Sequence, residues 1–148
     1  QRRGRGDGSL GEARVRLGLG VGQLGLGRPQ AALAELARAQ KAVAPLDGEE
    51  AVALRATCLA QRGRACLEAD RPAEALGHTQ DAVALVSAAT EGAAAVWAAH
   101  AEALRRSGAE DEAAAWREQA RAWVDDQARR IQGKAARRRF LAAHPQDA

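Results

Sequence analysis

One kind of segment occurs three times in this chain, and it constrains the fold more than any other feature. GRPQAALAELARAQKAV runs from Gly27 to Val43, DRPAEALGHTQDAVALV from Asp70 to Val86, and GAEDEAAAWREQARAWV from Gly108 to Val124. Gly27, Asp70 and Gly108 open the three copies. Alanines follow five residues later at Ala32, Ala75 and Ala113, and seven residues after those at Ala39, Ala82 and Ala120. Each copy sets apolar and small residues at helical spacing behind a turn-forming residue. A unit of this kind cannot bury its apolar face alone, so its recurrence predicts a stack of similar units.

The remaining composition agrees. Tyr is absent and Phe140 is the only Phe. With strand-forming aromatics so scarce, the reading is all-α. No apolar run approaches the ~18 residues of a membrane span, and no signal-peptide pattern is present. The absence of Met and the start at Gln1 lead us to expect a segment of a longer protein. A formal charge of +3 is too small to imply nucleic acid by itself. Cys58 and Cys66 are eight residues apart in one predicted helix, hence about 12 Å apart at ~1.5 Å rise per residue. That is too far for a disulfide while the helix is intact, and a cytoplasmic location is expected.

In chain order, residues 1–9 read as a disordered Arg- and Gly-rich leader, and residues 10–26 as a weak, glycine-interrupted helix. Gly20, Gly22 and Gly25 also have the spacing of a G-x-G-x-x-G phosphate loop. That loop needs a preceding strand and a βαβ unit, and nothing later in the chain reads as a strand. Helices are then expected over about 30–44, 49–69, 73–87, 90–106, 110–131 and 135–143, the last stopping before Pro145. Asp47 with Glu50 suggests a capping box, and Thr90 an N-cap. Three antiparallel helix pairs result, over about 10–46, 47–88 and 89–131, together forming a repeat domain over 10–133. A C-terminal capping helix and tail occupy 134–148.

At the level of these spacings the chain resembles the tetratricopeptide repeat (TPR) family. Gly20, Gly63 and Ala101, twelve residues before the first alanine of each copy, match the small position where the two helices of a repeat cross. Trp97 matches the family's aromatic position, where the other copies have Leu59 and Arg16. Ala39, Ala82 and Ala120 match the small position of the second helix. The intervals of 43 and 38 residues between repeats exceed the family's usual length. Longer repeats of this kind, and the terminal Arg138, Phe140, Leu141 and Pro145, resemble the C-terminal TPR array of bacterial multidomain ATPase-linked regulators.

The resemblance implies a TPR-like right-handed α-solenoid whose first helices line a partner groove. Carried over residue by residue, the groove comprises Arg14, Leu17 and Val21 from the first repeat. The second gives Thr57, Ala60, Arg64 and Glu68, and the third gives Ala98, Glu102, Arg105 and Arg106. An excess of Arg would suit an acidic or carboxylate-bearing segment. The expected function is thus a non-catalytic protein-protein interaction or intramolecular regulatory scaffold within a larger bacterial regulator. Its partner would be a protein, a peptide or another domain of the parent chain.

No catalytic, cofactor or metal site is expected. His78, His100 and His144 fall on separate elements, without metal-ligand spacing to Cys58 or Cys66. Asp125 and Asp126 point about 100° apart on a helix and cannot converge. Arg129, Arg130, Lys134, Arg137, Arg138 and Arg139 crowd the last helices. They offer an alternative function, nucleic-acid or acidic-surface binding through 129–139. Their bland reading is a solvated face whose cations complement helix C-termini. Trp116 and Trp123, seven apart, share one helix face that is expected to close the end of the stack.

Overall fold

The computed structural model describes the backbone of residues 2–144 and the side chains of residues 10–144. Among them are seven helices and no strand: α1 (Arg2–Gly25), α2 (Pro29–Val43), α3 (Glu49–Glu68), α4 (Pro72–Leu85), α5 (Ala93–Arg106), α6 (Glu110–Arg129) and α7 (Lys134–Ala143). The glycine-rich stretch 10–26 is helical to Gly25, which removes the phosphate-loop alternative. Residues 2–9, expected as a disordered leader, belong to the same helix. Glycine weakens a helix without forbidding it. Pro145 and the rest of the expected tail lie outside the described residues.

The three repeat-opening residues share one turn geometry. Gly27, Asp70 and Gly108 have positive φ of 73°, 60° and 89°. The amide after each donates back five residues, from Arg28 to the Gln23 carbonyl, Arg71 to Cys66 and Ala109 to Leu104, at 2.8–2.9 Å. Their own amides donate back three residues, to Leu24, Leu67 and Arg105. This is the Schellman arrangement, which satisfies carbonyls at the end of one helix and launches the next. Pro29 and Pro72 then occupy first-turn positions that need no amide hydrogen.

Side-chain capping follows a different course from the expected one. Gly48, not Asp47, is the N-cap of α3, and Gly92, not Thr90, is the N-cap of α5; neither makes a side-chain cap hydrogen bond. Thr90 Oγ1 instead accepts from the Ser87 amide at 2.9 Å, folding the loop on itself. Arginines from later helices satisfy helix C-termini. Arg55 Nη2 donates to the carbonyls of Val43, Ala44 and Leu46. Arg137 donates to those of Ala128 and Ile131.

Each helix packs on its successor, α1 on α2 through α6 on α7. The odd-numbered helices also touch, α1 with α3 and α3 with α5, whereas α2 does not reach α4 and α4 does not reach α6. The core follows this order as a series of clusters. Ala13, Val43, Ala51 and Leu54 join the first three helices. Ala56, Leu59, Ala60, Ala82, Val96 and Ala99 join α3, α4 and α5. Ala93, Ala94, Trp97, Ala120 and Val124 fill the space between α5 and α6. Trp116 and Trp123 are half-buried against that last cluster, and Trp123 Nε1 donates to the Ala88 carbonyl at 2.8 Å. No buried residue comes from α7.

The repeated small residues sit at the crossings. Ala32, Ala39, Ala75, Ala82, Ala113 and Ala120 are fully buried. A Cβ on Gly20 would lie 2.7 Å from Leu36 side-chain atoms, and one on Gly63 would lie 2.6 Å from Thr79 Cγ2. Ala101 occupies the corresponding place in the third copy and is also buried.

Candidate functional site

The odd-numbered helices meet around an open cleft of about 770 Å³, lined by Val21, Leu24 and Gly25 of α1, Arg64, Leu67 and Glu68 of α3, Asp70 of the following turn, and Glu102 and Arg106 of α5. Five of the residues assigned to the groove from sequence therefore share one cavity: Val21, Arg64, Glu68, Glu102 and Arg106. Leu24, Leu67 and Asp70 line it as well, outside that assignment. Their signal is the repeat itself, because Leu24 and Leu67 end first helices and Asp70 opens the turn that follows.

The other assigned residues fall elsewhere. Ala60 is 3% exposed and packs with Val96 and Ala99, so it is core and not groove wall. Leu17 is drawn into the apolar contacts of Ala13 and Leu36. Arg14 is exposed and paired with Glu50. Thr57 is half-buried and donates to the Ala53 carbonyl, one turn back on its own helix, at 2.9 Å. Ala98 is half-buried outside the cleft lining.

The expected Arg excess is also absent from the cleft, whose lining carries two arginines against three acids. Two contacts account for this. Arg105 leaves the lining to clasp Glu102 through Nε at 3.0 Å and Nη2 at 2.6 Å. Asp70 enters it and pairs with Arg106 at 3.3 Å. The hydrogen bonds from Arg105 hold the Glu102 carboxyl below its ordinary pKa. Arg64 is different. It makes no hydrogen bond or ion pair with a described residue, and burial pulls its guanidinium below the ordinary arginine pKa, with Glu102 acting in the opposite sense. It remains charged, because even a lowered arginine stays protonated near neutrality.

The basic C-terminal run is partly committed within the chain. Arg129 and Arg130 face Asp126 at 3.8 and 3.1 Å, and Arg137 caps α6. Lys134, Arg138 and Arg139 are exposed.

A second constellation is not legible in the sequence. The α3–α4 turn brings Cys66 Sγ to a carboxylate oxygen of Glu74 and a ring nitrogen of His78, all within 4.8 Å of one another. The expectation that His78 and Cys66 stand apart is thereby corrected. Linear spacing cannot reveal the pairing because the turn, not either helix, sets the distance. Cys58 lies elsewhere on α3, buried, with its thiol pushed up to about 11 by desolvation. His100 is buried against Thr79 Oγ1 at 2.9 Å and meets Trp116 edge-on, with centroids 5.1 Å apart.

No known protein-family model matches the chain, and no curated protein matches it.

Proposed function

We propose that this chain is a non-catalytic protein-binding scaffold of TPR-like form, a right-handed α-solenoid of three antiparallel helix pairs plus the C-terminal capping helix α7. Support for the solenoid comes from asymmetry in the packing. α3 touches both α1 and α5, whereas α4 touches neither α2 nor α6, which is how a curved stack with α1, α3 and α5 on its inner face would pack. The cleft between those helices is the partner site. The repeat resemblance supports a role as part of a larger bacterial regulator, and the two free cysteines fit a cytoplasmic setting. The partner is then a protein, a peptide or another domain of the same regulator.

The observation that carries the binding reading is Arg64. Its side chain is half-buried at the cleft wall and makes no hydrogen bond or ion pair with a described residue, so a carboxylate arriving in the cleft would gain a bidentate charge-assisted contact there. Val21, Leu24 and Leu67 offer apolar wall beside it, and Glu68, one turn along, offers a place for a cation. The cleft thus suits a short segment that places an acidic group against apolar neighbours, in place of the broadly acidic ligand an Arg-rich groove would take.

Panning a random dodecapeptide phage library against the full chain tests this. Enriched peptides should carry a carboxylate, and they should lose binding to Arg64→Glu while the helical circular dichroism of that variant is unchanged. Equal binding to both proteins would remove the cleft from consideration. The alternative, nucleic-acid or acidic-surface binding through 129–139, predicts affinity that falls steeply with salt and disappears on deleting those residues. With three of its six cations already engaged in ion pairs or carbonyl contacts, that alternative has less support.

A further inference from the structure

The geometry points to a zinc site formed by Cys66 of α3 and Glu74 and His78 of α4. Glu74 and His78 stand four residues apart, so they project from the same face of α4. The turn through Ala69, Asp70 and Arg71 folds that face onto the end of α3. Cys66 Sγ lies 3.9 Å from Glu74 Oε2, and the sulfur, carboxylate oxygen and imidazole nitrogen are mutually within 4.8 Å. Tetrahedral zinc with bonds of about 2.0–2.3 Å sets its ligand atoms roughly 3.3–3.8 Å apart. Closure of about 1 Å is therefore needed. Glu74 is exposed and His78 half-buried, so rotation of those side chains supplies it, while Cys66, 1% exposed, stays fixed in the core beside Leu67, Ala75 and Ala103.

The donor set decides which metal fits. Thiolate, imidazole and carboxylate together suit zinc, whereas magnesium and calcium require oxygen ligands throughout. Thiolate and carboxylate also neutralise the dication, and binding displaces the thiol proton. Arg62 and Arg71 are the cations acting on Cys66 that must be accommodated, and Arg62 Nη1 is bonded to Gln40 Oε1 at 2.7 Å, toward α2. Three protein ligands leave a fourth position for water or a partner's donor group. None of the three residues lines the cleft, so this site is independent of the peptide-binding reading.

Cobalt reports the sulfur ligand directly. Adding Co²⁺ to the reduced, chelator-treated full chain should produce a thiolate-to-cobalt charge-transfer band saturating at one equivalent and bleached by Zn²⁺. Cys66→Ser should abolish the band and Cys58→Ser should retain it. His78→Gln and Glu74→Gln should each weaken binding while leaving the helical circular dichroism intact, and these surface variants decide the matter if Cys66→Ser does not fold. Zn²⁺ should raise the melting temperature of the parent chain and not of His78→Gln. Absence of the band in the parent chain overturns the site, as does a band that survives Cys66→Ser or is unchanged in both α4 variants. Any of these results would leave Cys66 as a core-packing residue only.

Discussion

A methyl group added at Gly63 would sit 2.6 Å from Thr79 Cγ2 and 3.3 Å from the Ala75 carbonyl oxygen. Thr79 cannot easily yield, because it is fully buried and bonded to His100 Nδ1. Overpacking of this kind costs roughly 1–3 kcal/mol, against the ~1 kcal/mol that replacing a helical glycine by alanine returns. Gly63→Ala is therefore expected to destabilise the chain by up to about 2 kcal/mol, read as a lower urea midpoint. A methyl group placed on Gly18 or Gly22 would meet nothing within 4 Å, so alanine there should stabilise by up to about 1 kcal/mol. A stabilised Gly63→Ala would contradict the close crossing. At the same scale, burial lowers the pKa of His78 and His100 from 6.5. Arg62 adds to the first shift, and Glu112 opposes the second. The unfolded chain then binds more protons as pH falls through the unfolded value, so the stability present above it declines on acidification. With chelator present, the urea midpoint should drop between pH 7.5 and 5, less steeply in His100→Gln; identical slopes would exclude a contribution from His100.

Elements end here by backbone turns and reaching arginines more than by side-chain N-caps. Gly108 at φ 89° is a position where a Cβ is strained, and Gly108→Ala should cost about 1–2 kcal/mol. Asp70 tolerates the same turn at φ 60° and recovers part of that strain through Arg106. Thermal melts of Gly108→Ala and Asp70→Gly distinguish the two, the second being much the milder. The arginine richness of the sequence acquires a structural use at this scale. Arg55 serves three carbonyls beyond α2, which a net-charge argument does not reveal. The expectation that basic residues complement helix C-termini describes Arg137 well. Asp47 stands one residue before Gly48 and Thr90 two before Gly92, and the positive φ of these glycines lets the chain enter each helix without a side-chain acceptor.

For the whole molecule, stability is spread along a series of small clusters, each shared by successive helices. Helix α7 adds little to it, since it packs on α6 alone and buries nothing fully. Truncation after Gly133 should leave the helical signal of the remainder and shift its melting temperature by no more than about 3 °C, roughly 1 kcal/mol. A larger fall would mean that the Arg137 cap stabilises more than a surface contact normally does. The all-α character, the helix order and the turns at Gly27, Asp70 and Gly108 were legible in the sequence. Each depends on local periodicity or on a single residue's backbone preference, and both are written along the chain. Which side chains share a cavity was decided only by tertiary structure. The Arg105–Glu102 pair, three residues apart on α5, is of a kind that spacing alone allows. By contrast, Ala60 turned to the core, Asp70 entered the cleft beside Arg106, and Cys66 was brought to His78 by the turns and packing between helices, which no linear spacing encodes.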